Sequence, residues 1–164
     1  MLTGRAFKFG DNISTDHIIP GRLAHLRSNL PELAKHVMED ADPTFAARVK
    51  PGDFIVAGTN FGLGSSREHA PLVIKTAGVS AILAKSVARI FFRNSINLGL
   101  PVLICETDSI NDGDELKIDL KAGTIRDMTN GNQLRFSPIP EIMLHILDDG
   151  GLLPYIQKHG DFKL

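Results

Sequence analysis

The residues with most chemistry in them stand together, in Gly62-Leu63-Gly64-Ser65-Ser66-Arg67-Glu68-His69. An apolar run, Phe54-Ile55-Val56-Ala57, leads into this stretch, and an amphipathic run over 67–77 leaves it. That order predicts a strand, a glycine-bent turn and a helix, and such a turn offers free backbone N–H groups to an anion. An arginine beside it can grip a carboxylate through two parallel hydrogen bonds. The same positive field lowers the cost of a serine alkoxide, so a serine here could take a proton from carbon. The blander alternative is that Ser65 or Ser66 caps the helix while Arg67 lies in solvent. From the turn alone the two readings are level.

Better-known templates fail on single residues. A dinucleotide fingerprint needs a third glycine where Arg67 stands, and a Walker phosphate loop needs a lysine after its last glycine, where Ser65 follows Gly64. A nucleophile elbow needs glycine two positions to each side of its serine, and Ser66 is followed there by Glu68. Abstracting a proton next to a carboxylate also needs an electrophile for the departing hydroxyl. Cys105 is the one cysteine, whereas an iron–sulfur cluster takes about four thiolates, or three and an open iron. The six histidines show none of the i, i+4 pairing of a helical zinc site. A metal, if one takes part, comes from a partner.

The elements that must position these groups follow from periodicity. Residues 5–9 alternate as a first strand, and 13–21 read as a loop pinned by Ile18, Ile19 and a Pro-Gly turn. Residues 23–28 are ambiguous, 30–38 carry helical spacing, and 38–50 read as a loop with a short helix. Strands over 54–57, 80–84 and 101–105 alternate with helices over 67–77 and 87–98, the order of a parallel sheet with crossovers. Residues 115–120, 123–126 and 133–136 read as further strands, the last two around a Thr129-Asn130-Gly131-Asn132 turn. Helices over 141–147 and 152–158 close the chain.

Composition excludes several classes of function. At 164 residues the chain suits one substantial core better than two. Its net charge of −1 leaves no electrostatic footprint for nucleic acid or an anionic membrane. No apolar run approaches the roughly 20 residues of a membrane span. Residues 1–8 lack a signal-peptide core, and a lone cysteine fits a reducing compartment, so a cytoplasmic location is expected.

Three motifs in order resemble the swivelling domain of the aconitase superfamily. They are Ser14-Thr15-Asp16-His17-Ile18-Ile19-Pro20-Gly21, the glycine-serine stretch through His69, and Ala84-Lys85-Ser86-Val87-Ala88-Arg89-Ile90-Phe91-Phe92-Arg93-Asn94 with Asn97 and Gly99-Leu100 behind it. The resemblance covers nearly the whole chain, including Gly150-Gly151-Leu152. It implies one swivelling domain over 1–164, an α/β fold of β/β/α type. The central sheet would be parallel or mixed, with flanking helices and a β-rich C-terminal extension. A free-standing chain of this size is similar to the small subunits of the family's two-chain hydro-lyases. Those move a hydroxyl between neighbouring carbons of a 2-hydroxy dicarboxylic acid by dehydration and rehydration.

The resemblance further implies a large subunit carrying a [4Fe–4S] cluster whose open iron is the Lewis acid, with no cluster on this chain. Ser65 would be the base, Ser66 and Arg67 would bind a substrate carboxylate, and Asp16 would serve proton traffic at the leaving hydroxyl. Thr15 and His17 share the Asp16 motif and are expected at the substrate. The specificity loop reads Leu23-Ala24-His25-Leu26-Arg27-Ser28, with histidine where tyrosine is usual and Arg27 where homoaconitase-like members carry a charge-accepting arginine. An arginine suits an extra carboxylate better than an isopropyl group. Other stretches, such as Glu68-His69-Ala70-Pro71 and Leu152-Leu153-Pro154-Tyr155, resemble the isopropylmalate branch, which is the first expectation. A reading from another class is a non-catalytic anion- or RNA-binding module. Arg89 and Arg93, one helical turn apart, read as surface or interface residues.

Overall fold

The first strand, β1 (Leu2–Lys8), joins two different halves of one sheet. The computed structural model describes residues 1–65 and 67–160. On one side of β1 lie β2 (Phe54–Val56), β3 (Ala81–Ala84) and β4 (Val102–Ile104), each parallel to its neighbour. On the other side lie β5 (Glu115–Asp119), β6 (Thr124–Asp127) and β7 (Gln133–Arg135), all antiparallel. The spatial order is β4-β3-β2-β1-β5-β6-β7, so the expected parallel sheet and β-rich extension are one mixed seven-stranded sheet.

Burial follows the pairing. β2 and β3 are buried on both faces and read as unbroken apolar runs, as strands of a parallel sheet covered on both sides do. β5 alternates, burying Leu116 and Ile118 only. Side chains of β2 and β3 divide by parity. Ile55 and Ile82 pack with Phe7, Phe45, Ile74 and Phe91 on the helical face. Phe54, Val56 and Leu83 pack with Leu116, Ile118 and Ile125, so the sheet curls and its antiparallel half covers one face of its parallel half.

The helices are α1 (Thr15–Ile18), α2 (Leu30–Ala34), α3 (Phe45–Arg48), α4 (His69–Thr76), α5 (Arg89–Asn97), α6 (Glu141–Asp148) and α7 (Leu152–His159). Two expectations are corrected, and one open stretch takes a definite form. The 13–21 loop contains a helical turn, because Ser14 Oγ accepts the His17 N–H at 3.3 Å while His17 Nδ1 accepts the Ser14 N–H at 2.9 Å. The helix expected over 30–38 stops at Ala34. Met38 then takes a left-handed conformation (φ 60°) and donates its N–H to the Ile18 carbonyl at 3.1 Å, so tertiary pairing replaces the helical ladder. The ambiguous 23–28 stretch falls on a 3-10 helix, Gly21–Leu26.

At the antiparallel end two carboxylates are buried together. Asp127 is 1% exposed and Asp114 5%. Asp127 Oδ1 accepts the N–H groups of Thr129 and Asn130 at 3.0 and 3.2 Å, whereas its Oδ2 is buried with no hydrogen-bond donor among the described residues. Burial, and then the neighbouring Asp114 carboxyl, raise the Asp127 pKa above the ordinary aspartate value. The sign follows from that direction: the contribution is fully present below the unfolded value of about 3.9 and is lost as pH rises through the raised folded value. Asp127→Asn keeps the shape without needing the proton. Its urea midpoint is therefore expected above that of the unaltered chain at neutral pH, with the gap closing in acid. A gap that does not change with pH would assign the effect to something other than this proton.

Candidate active site

The loops leaving β1, β2 and β3 meet at the carboxyl ends of these parallel strands, where open α/β sheets hold ligands. Two isolated parallel bridges, Ser14 with Leu63 and Phe61 with Val87, extend the pairing beyond the strands. The glycine-serine turn is thereby stitched on both sides. The Gly62 N–H donates to Ile13 O at 2.7 Å and the Thr15 N–H to Leu63 O at 2.9 Å, while the Ala88 N–H donates to Phe61 O at 2.9 Å.

The two glycines are there for separate reasons. Gly62 has φ 80°, and a Cβ on it would run into the Phe91 ring, which packs edge-on against Phe61. Gly64 has φ 107°, and its Cβ would stand 3.1 Å from Thr15 Oγ1. This close approach lets the buried Thr15 hydroxyl donate to the Ser65 carbonyl at 3.0 Å. Ser65 itself is exposed. α4 begins only at His69, with Glu68 in the N-cap position and no side-chain cap bond, so Ser65 does not cap it. Ser66 lies outside the described residues.

Arg67 is held before any ligand arrives. Its Nη1 donates to the Ile19 carbonyl at 2.6 Å, and its Nη2 pairs with Asp16 Oδ1 at 2.7 Å. Asp16 stands in the first turn of α1 with its side chain 68% exposed, against 32% for Arg67. His17, two residues from Thr15, points its Nδ1 into the Ser14 cap, so a neutral ring carries its proton on Nε2.

Ser65, Thr15 and Arg67 line one cavity of about 320 Å³ together with Gly62, Gly64, Arg89 and Asn94. A neighbouring cavity of about 420 Å³ is lined by Arg67, Arg27, Gly21 and His69, with Arg27 exposed at the end of the 3-10 helix. Arg67 is common to both. The structure thus gathers Thr15, Ser65 and Arg67, puts Asp16 on Arg67 and Arg27 in the adjoining space, and turns His17 toward a cap. Arg89 and Asn94 also line this cavity, and Arg89 is exposed, as the surface reading of it expected. The Phe61–Val87 pairing brings the start of α5 to the turn, and nothing in the local spacing announces it.

A larger cavity of about 750 Å³ lies by α6 and α7, but no residue of the three motifs lines it. Its Asp149 is already paired with Lys158 at 3.1 Å and His159 at 3.0 Å, the contacts that lower its pKa. Cys105 is buried, and burial with Glu106 nearby pushes its thiol up to about 12, which disfavours the thiolate a metal needs. Among the described residues no group of three or more His, Cys, Asp or Glu is placed to hold a metal ion. These donors do not fit an iron–sulfur cluster. No helix among the described residues is long and apolar enough to cross a membrane.

Residues 8–107 match the family model described as the aconitase C-terminal domain. The chain is 67% identical over 163 residues to a protein of Archaeoglobus fulgidus named 3-isopropylmalate dehydratase small subunit 2, covering 99% of each. It is 55% identical over 159 residues to the methanogen homoaconitase small subunit of Methanothermobacter thermautotrophicus, covering 96% of this chain and 92% of that one. Its fold superimposes on the crystal structure of a 3-isopropylmalate dehydratase from Methanocaldococcus jannaschii with a TM-score of 0.93 at 45% identity, covering 97% and 95% of the two chains.

Proposed function

The chain belongs to the aconitase C-terminal domain family, among the small subunits of 3-isopropylmalate dehydratase, and from that premise we propose how its residues act. The enzyme is a hydro-lyase of leucine biosynthesis that converts 2-isopropylmalate to 3-isopropylmalate by dehydration and rehydration, and this chain works with a large subunit. The observation that supports the residue roles best is the single cavity in which Ser65, Arg67 and Thr15 meet.

In this reading the Ser65 hydroxyl, as its alkoxide, takes the carbon-bound proton, and the positive charge of the cavity makes that alkoxide accessible. Arg67 and Ser66 bind a substrate carboxylate. Thr15 acts through Ser65, since its hydroxyl is committed to the Ser65 carbonyl. Asp16 keeps Arg67 aimed and serves the proton traffic of the departing hydroxyl. His17 supports the same turn from the α1 cap.

We place the iron–sulfur cluster that the family implies on the large subunit, a reading supported by the single cysteine of this chain, where a cluster takes about three or four thiolates. The remaining parts of the reading are a single domain over 1–164, a cytoplasmic location, and no nucleic-acid or membrane partner. A second reading, homoaconitase-like chemistry, rests on Arg27 lining the cavity next to Arg67, where it would meet an extra carboxylate.

The deciding experiment is reconstitution. The purified chain is expected to be colourless and inactive, and turnover should appear with the large subunit, fastest on isopropylmalate among isopropylmalate, dimethylmalate and homoaconitate. Turnover by the chain alone would overturn the division of labour. Preference for homoaconitate, lost in Arg27→Ala, would decide for the second reading.

A further inference from the structure

Arg67 is not the uncompensated charge of its cavity. Asp16 sits on it at 2.7 Å, and the Ile19 carbonyl takes a second of its donors at 2.6 Å. The other cation lining the same space is Arg89, the first residue of α5. It is exposed, and among the described residues no carboxylate pairs with it. No acidic side chain is among the described residues that line this cavity. Asn94, from the same helix, adds a half-buried amide to the wall with no side-chain hydrogen bond to a described residue. A substrate with two carboxylates therefore meets one guanidinium already shared with Asp16 and one that is free.

We propose that Arg89 binds the second carboxylate of the substrate, facing the one held by Arg67, and so fixes which end of the dicarboxylate reaches Ser65. This rests on the dehydratase reading above. A planar guanidinium holds a carboxylate through two hydrogen bonds and orients it, as a single ammonium does not. The helix also restrains the arginine. The Phe91 ring two residues on is locked against Phe61 and lies over Gly62, so the start of α5 is fixed to the turn that carries Ser65.

The test uses the assembled two-subunit enzyme with 2-isopropylmalate and its two monomethyl esters. Arg89→Ala is expected to raise KM about ten- to a hundredfold, the effect of losing a charge-assisted hydrogen-bonded pair, with subunit assembly unchanged. Arg89→Lys should recover only part of the loss. The unaltered enzyme should discriminate against the ester that blocks this carboxylate, and Arg89→Ala should discriminate much less. An unchanged KM, an unchanged ester preference, or a loss traced wholly to weaker subunit assembly would overturn the proposal and leave Arg89 an interface residue. An unaltered complex that does not turn over isopropylmalate would instead overturn the dehydratase reading, so the two failures are distinguishable.

Discussion

Ser65→Ala, assembled with the large subunit, is expected to lose about a hundred- to ten-thousand-fold in kcat, the range for removing a positioned general base. The ultraviolet absorbance of the dehydrated, conjugated acid gives the readout. The side chain of Ser65 is exposed and makes no cap, and the Thr15 contact goes to its backbone carbonyl, so truncation leaves the turn intact. The variant should therefore compete with the unaltered chain for the large subunit at equal concentration. That control separates loss of the base from loss of the fold. Turnover within tenfold of normal would place the base on another residue.

Arg67→Lys is the second large effect. The guanidinium serves three directions at once: the Ile19 carbonyl, the Asp16 carboxylate and the open cavity. A lysine ammonium can follow one of these but lacks the planar fork. Losing the bidentate grip on a substrate carboxylate costs about 3 kcal/mol, on the order of a hundredfold in kcat/KM. Most of it should appear in KM if the grip is equal in ground and transition states, and in kcat if it tightens along the reaction. A variant with normal kcat/KM would show that Arg67 serves the loop rather than the substrate.

Local pattern made much of this molecule legible. The unbroken apolar runs of β2 and β3, the alternation of β5 and the Asn130-Gly131 turn before β7 each follow from residues that touch in sequence. The Gly62-x-Gly64-Ser65 spacing was equally readable, since both glycines sit at positive φ against specific neighbours. What escaped depends on contacts between distant segments. The pairing of β1 with β5 joins Leu2 to Ile118, and so fuses a parallel and an antiparallel half that look separable along the chain. α2 ends early because Met38 answers to Ile18, not to its own helix. Arg89 is exposed, as its place on the helix suggested, and that it also lines the cavity of Ser65 depends on the Phe61–Val87 bridge, which no helical periodicity encodes. Of the expected site residues, Thr15, Ser65 and Arg67 line one cavity, while the hydroxyl of Thr15 and the ring of His17 are hydrogen-bonded within the scaffold.

The pairing of Arg67 with Asp16 bears on the behaviour of the chain before assembly. A bare arginine beside a serine would collect whatever small acids the surrounding solution contains. With Asp16 across it, the seat is filled by an internal decoy whose hold is weak, since so exposed an ion pair contributes only about 0–1 kcal/mol. A pair that weak lowers the affinity of Arg67 for a stray carboxylate by roughly fivefold at most, so Asp16 tempers the seat without closing it.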